Sequence, residues 1–238
     1  MGALIETKNP LSLREASSFA VLVSHVSRYW REVTLSTPRL WRAIFASGPF
    51  PPLAQSHSTG LSFTPVISSD TCPMIWRRQL ERIQTYLRRS WPVPLIIYLD
   101  LRDPSWSFDT SELSHPFHPS YMSQLLDLLL PHLSRWEDVE ILSDTWKPLY
   151  IFMQRCQPDS LRGMPNEYPM EAPILRRLSL CRCNAYFALE GRRFLPLDGE
   201  EHISLFHNVA PLLRDISLSG VYVSWTNGLF RNLSALAL

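Results

Sequence analysis

Cys181 and Cys183 stand two positions apart in Leu180-Cys181-Arg182-Cys183, and His115 and His118 stand three apart in His115-Pro116-Phe117-His118. Thiols and imidazoles are the usual metal ligands and the usual nucleophile and base. A structural zinc site takes four such ligands. The C-x-C has no second Cys pair, and its next candidate ligand is His202, while prolines hold the HPFH stretch extended with no third ligand nearby in sequence. Cys72 and Cys156 complete a set of four cysteines too sparse for a disulfide scaffold. The thiols are therefore expected to be reduced and structural, in an intracellular setting. His25, His202 and His207 fall on predicted helices as candidate bases, without a nucleophile in a strained turn beside them.

Phosphate cradles and nucleophile elbows need glycine, whose missing Cβ lets backbone N–H groups approach an anion. The chain has only 8 Gly against 20 Pro in 238 residues, and no two glycines have the spacing of G-x-G-x-x-G, G-x-x-x-x-G-K-[ST] or G-x-S-x-G. The expectation is a protein with no enzymatic chemistry, no cofactor and no bound metal. Lys plus Arg number 23 and Asp plus Glu 22, a net charge of +1, which argues against nucleic-acid or membrane-surface binding. The apolar runs fall far short of the ~20 residues that span a bilayer, and the N-terminus has no basic region before an apolar run. Location is expected to be cytoplasmic or nuclear.

The elements that would hold these groups follow from periodicity. Phe19, Leu22, Val23, Val26, Trp30 and Val33 make one face of a helix over 16–35, capped by Ser17 or Ser18 and ended at Thr37-Pro38. A second short helix is predicted to carry Leu40, Trp41, Ile44 and Phe45. Pro, Ser, Thr and Gly dominate the following stretch, so 47–74 reads as a linker. A helix over 75–90 has the stripe Ile75, Leu80, Ile83 and Leu87, and its arginines, Arg77, Arg78, Arg82, Arg88 and Arg89, read as a solvated face. Strands are predicted at 94–99, 136–142, 175–181, 213–218 and 233–238, and helices at 120–133, 146–155 and 201–209.

The strands repeat. Trp136, Val139 and Ile141 share the L-x-x-L-x-L pattern with Leu175, Leu178 and Leu180, with Leu213, Ile216 and Leu218, and with Leu233, Leu236 and Leu238. The offsets are 39, 38 and 20 residues, and Ile97 with Leu99 fits an earlier copy 42 residues before. Pro173 and Pro211 precede two copies by two positions. The last two leucines of such a unit alternate on a strand and the first turns inward before it. Stacked units make a parallel sheet covered by helices. The fold class is thus α/β: a short N-terminal helical segment over 1–46, a linker over 47–74, and an irregular leucine-rich-repeat-like solenoid over 75–238. In this solenoid the filler residues line the concave, partner-binding side: Ile96 and Tyr98, Asp138 and Glu140, Arg177 and Ser179, Asp215 and Ser217, then Ala235 and Ala237. The stripe is mixed in polarity and suits a protein partner.

The segment from Val26-Ser27-Arg28-Tyr29-Trp30-Arg31 through Ser36-Thr37-Pro38-Arg39-Leu40-Trp41 closely resembles the second half of the F-box in basidiomycete fungal F-box-like proteins, whose text is V-C-R-x-W-R-x-x-A-x-S-T-P-x-L-W. Leu128 to Trp136, Ala172 to Leu175 and Ala210 to Val221 look like the same family. The resemblance implies an adaptor: F-box helices bind a Skp-family linker of a cullin–RING ubiquitin ligase, and the leucine-rich region holds a protein substrate. The residues implied at the linker are Leu22, Val23, Val26, Trp30, Val33, Pro38, Leu40 and Trp41, with helix packing the competing role for the two tryptophans. The text of Met1 to Ser18 departs from the usual leading helix, L-P-x-E-[IL]-x-x-x-[IL]-F, so the motif is half present and both ends of the chain read as cut. The alternative is a leucine-rich interaction protein whose degenerate F-box no longer binds the linker.

Overall fold

A computed structural model describes residues 10–50, 71–106, 115–157, 170–183, 205–221, 223 and 228–237. Most of the predicted linker (51–70, with Pro51 and Pro52), His202 and Leu238 lie outside the described residues, as do parts of the predicted loops 100–119 and 157–173.

The single helix expected over 16–35 is two. Helix α1 spans Pro10–Ser24 and α2 spans Arg28–Leu35. Ser27 makes the break: it is extended (φ −159°, ψ 170°) and its Oγ accepts the N–H of Trp30 at 3.2 Å. A serine side chain at that position satisfies one of the orphan donors of a new helix. Ser17 and Ser18 are not caps. They lie inside α1, and their hydroxyls donate back to the carbonyl of Arg14 at 2.8 and 3.1 Å.

The second helix predicted near residue 40 is also corrected. Pro38–Trp41 is a 3₁₀ turn, and Ala43–Ser47 is a strand, β1. Ile44 and Ala46 are buried while Ala43, Phe45 and Ser47 are half-buried, an alternation of period two. Helix α3 (Thr71–Arg89), strand β2 (Leu95–Asp100), helix α4 (Pro119–Leu129), strand β3 (Trp136–Ser143) and helix α5 (Trp146–Arg155) follow close to expectation. Leu130–Arg135 is a 3₁₀ segment rather than the end of α4. Strands β4 (Arg177–Arg182), β5 (Asp215–Ser219) and β6 (Ala235–Ala237) complete the chain. The helix predicted at 201–209 is, in its described part, a short 3₁₀ turn at Phe206–Asn208. Phe206, His207 and Asn208 have φ of 52°, 51° and 60°, values closed to a right-handed helix.

The six strands form one parallel sheet in chain order, β1-β2-β3-β4-β5-β6. Its register reproduces the sequence repeat. Val139 pairs with Leu178, Leu178 with Ile216 and Ile216 with Leu236, and Ile97 pairs with Val139. β1 adds a copy that the pattern search missed, with Ile44 opposite Ile97. These apolar rows face the helices. α3 packs on β1, α5 on β3 and β4, and α4 lies between α3 and α5. The first residue of three units turns inward as expected, Trp136, Leu175 and Leu213 being buried, whereas Leu233 is half-buried and Leu236 of the last unit is exposed. Two of those inward steps share a Pro turn, in which Leu175 N–H donates to Ala172 at 3.2 Å and Leu213 N–H to Ala210 at 3.1 Å.

The N-terminal helices join this body at its first edge. α1 touches β1, Ala20 and Thr34 are buried, and the Tyr86 hydroxyl of α3 donates to the Ser17 carbonyl. β1 falls within the segment expected to be a separate helical unit, yet it hydrogen-bonds to β2.

Candidate functional site

Two surfaces and one side-chain cluster stand out. The first surface is the outer side of α1 and α2. Leu22, Val26 and Trp30 are 66%, 69% and 46% exposed, and Phe19, Tyr29 and Leu35 are exposed beside them. Val23, Val33, Pro38 and Leu40 are half-buried. Trp41 is different. It is 1% exposed, its indole N–H donates to the Thr34 carbonyl at 2.8 Å, Tyr86 packs edge-on against it at 5.0 Å, and the Arg89 guanidinium caps its face at 4.3 Å. Trp41 therefore leaves the set of partner-contact residues and joins the core, whereas Trp30 leaves the core and joins the surface. The α3 arginines are not all a solvated face either: Arg82 reaches across to the Phe45 carbonyl, and Arg89 is the lid on Trp41.

The second surface is the polar side of the sheet. The register aligns the filler residues in rows: Ile96, Asp138, Arg177, Asp215 and Ala235 form one, and Tyr98, Glu140, Ser179, Ser217 and Ala237 the next. Charges alternate along the first, and Arg177 approaches Asp138 at 3.9 Å, the opposite-sign pairing that favours neighbouring strands. Tyr98 is the exception among the predicted contacts. It is 2% exposed, stacked on Phe45 at 5.7 Å, and its buried hydroxyl has no hydrogen-bond partner. Burial, Asp100 and Glu140 all push its ionisation upward, so it stays a neutral phenol and is not available as a surface contact.

The cluster lies where the polar rows reach the carboxyl ends of the strands, the edge at which open α/β sheets usually bind. A third row runs Ser47, Asp100, Leu142, Cys181 and Ser219. Beyond it Arg102 holds Asp100 through two bonds of 2.7 and 2.8 Å, and Cys183 lies one step past Cys181 with its N–H on the Ser143 carbonyl at 2.9 Å. The two sulfurs are 3.9 Å apart. Hydrogen bonding from Cys183, against a desolvation penalty and with help from Ser219 and Arg102, draws the Cys181 thiol down to about 7. The Cys183 thiol is pushed up by its bond to Cys181 and by burial. The pair thus shares one proton near neutral pH. The C-x-C spacing was legible in the sequence; the arginine near it, two residues past the end of β2, was not.

The histidines of HPFH serve the backbone. His115 Nδ1 accepts the N–H of Phe117 at 3.1 Å, and His118 Nδ1 accepts that of Ser120 at 3.2 Å, capping α4. Each His-Pro-x step closes the same two-residue turn. With Nδ1 accepting, His115 presents its Nε2–H to Asp144 Oδ2 at 3.3 Å, and that oxygen also receives the Asp103 N–H at 2.7 Å. His25 is exposed on the turn between α1 and α2, and His207 is exposed in the 3₁₀ turn. An open groove of ≈ 700 Å³ between α3 and α4 is lined by Thr85, Arg88, Trp91, Asp127, Leu128 and His132. No described helix is long and apolar enough to cross a membrane.

No protein-family model, curated protein or solved structure matches the chain.

Proposed function

We propose that the protein is a non-enzymatic F-box-type adaptor that recruits a protein substrate to a Skp–cullin–F-box ubiquitin ligase. The observation that carries this reading is the exposed apolar set Leu22 on α1, Val26 in the turn after it and Trp30 on α2, in the segment that resembles the F-box. Exposed aromatic and aliphatic side chains at this density mark a surface that a partner covers. The same short segment is anchored to the sheet through Trp41, Thr34 and Ala20, so its outer face is presented on a rigid support. Adaptors of this kind act by proximity: they raise the concentration of substrate at the ligase and break no bond themselves.

A leucine-rich-repeat-like solenoid for the α/β part is the companion inference. Strands that follow chain order, paired at the offsets of the L-x-x-L-x-L repeat, support it. The polar rows that include Asp138, Arg177 and Asp215 are the substrate side in this reading.

Co-expression with a Skp-family linker tests the assignment. A stoichiometric complex is expected, and replacing Leu22 and Trp30 together by alanine should weaken it at least about tenfold, as loss of an interface anchor does. A folded chain that forms no linker complex overturns it. In that outcome a partner that binds the sheet rows without the linker would favour the second reading, a leucine-rich interaction protein with a degenerate F-box.

A further inference from the structure

The cysteine cluster is independent of that adaptor reading and asks for an account of its own. Cys181 is on β4 and Cys183 stands one residue past its end, and their side chains meet at the carboxyl end of that strand. Both are half-buried, so small molecules reach them. Neither is in a disulfide. Their sulfurs are 3.9 Å apart, and a bond of ~2 Å needs them to close by about 2 Å. Two strand residues at this spacing have Cα atoms roughly 6.6 Å apart, just inside the range a disulfide accepts. The strand also ends at Arg182, where the chain begins to turn, and a turn shortens that distance.

The surrounding groups fit a nucleophilic sulfur. Ser219 from β5 donates to Cys181, and Arg102, beyond β2, places positive charge near both sulfurs. Asp100 on β2 is held by Arg102, and Glu140 on β3 and Asp144 just past its end oppose ionisation. Cys183, the thiol that keeps its proton, sits where a resolving group must sit.

We propose that Cys181 and Cys183 form a redox-active dithiol site that is oxidised by small dialkyl disulfides of the glutathione type. The Cys181 thiolate attacks one sulfur of the disulfide R–S–S–R, forming a Cys181–S–S–R bond and releasing R–S⁻. The Cys183 thiol passes its proton to solvent or to the departing thiolate. Its sulfur attacks Cys181 Sγ, forms the Cys181–Cys183 bond and expels the second R–S⁻. Two protein thiols lose two electrons and the small disulfide becomes two thiols, so the step balances. The product is a strapped end of β4 in the middle of the polar face.

Oxidised glutathione and the full chain provide the test. In the wild type, mass spectrometry should find a Cys181–Cys183 disulfide and no retained glutathione, whereas C183A should keep glutathione on Cys181. Alkylation by iodoacetamide, read site by site against pH, needs no variant. Cys181 should react with a midpoint near pH 7 and, at that pH, about threefold faster than an ordinary thiol, because its larger thiolate fraction is partly offset by lower nucleophilicity. C183A should move that midpoint up toward the ordinary thiol range, since the donor to Cys181 is gone. Alkylation of Cys181 with the pH profile of a free cysteine overturns the proposal, as does a stable glutathione adduct on the wild-type chain.

Discussion

Trp30 and Trp41 are eleven positions apart in one F-box-like segment, and their environments are opposite. Their alanine variants should separate stability from binding. W41A removes a fully buried indole, its bond to Thr34 and the seat of Arg89, and should cost about 3–5 kcal/mol in urea unfolding. W30A should change stability by less than about 1 kcal/mol while it weakens linker binding; a W30A variant that unfolds early would mean that Trp30 is core after all. Arg135 is a second residue whose role is legible only in three dimensions. It is buried, and its guanidinium donates to the Ser90 carbonyl and hydroxyl at 2.8 Å and to the Val93 carbonyl at 2.8 and 3.0 Å, with the Trp91 ring 5.0 Å from it. These carbonyls follow the end of α3, where a cation is also favoured by the helix dipole. R135M takes the guanidinium away from the Val93 carbonyl, while the Ser90 carbonyl keeps the Val93 N–H, and should destabilise the protein by about 1–3 kcal/mol. R135K, which keeps the charge and loses the fork, should recover only part of that.

Among the elements that sequence reasoning misread, α2 and β1 have the clearest cause. The apolar positions from Phe19 to Val33 keep a helical spacing across the break at Ser27, so periodicity alone joined α1 to α2. The capping serine was the available signal. S27A should destabilise the α2 end by about 1 kcal/mol, measured as faster amide exchange in α2 with little change in the sheet. β1 was hidden because Leu40, Trp41, Ile44 and Phe45 also fit a helix, and a short apolar run has no unique period. Its partner β2 decides the matter by offering a parallel edge from Ala43 to Ser47. The copies in β3, β4 and β5 were read correctly because two features coincide at each: alternation of apolar and polar residues, and an inward residue three positions before the strand's first core residue; in β6, Ala235-Leu236-Ala237, the leucine spacing alone carried the reading. L180A, in the centre of that core, should cost about 2–5 kcal/mol.

In the whole molecule, α3 packs on β1 and α5 on β3 and β4, with α4 between them, so the polar rows lie on the side of the sheet away from these helices; they are the partner side in the proposed reading. Asp138 and Arg177 are already paired with each other, so reversing one charge changes the sheet as well as the binding surface. Reversing the row together, D138R with R177D and D215R, keeps opposite charges on neighbouring strands and changes what a partner meets. It should leave the unfolding midpoint within about 0.5 kcal/mol of wild type and weaken substrate binding; unchanged binding would remove these rows from the recognition surface. The sequence by itself determined the parallel α/β architecture, the register of its last four strands and the scarcity of phosphate-binding or elbow loops, because periodicity, repeat spacing and glycine placement are local properties. Tertiary structure alone decided which tryptophan is buried, which arginine caps α3, and that Arg102 stands over Cys181 and Cys183. Those outcomes depend on groups from distant parts of the chain arriving at one place, and spacing along the chain carries no record of that.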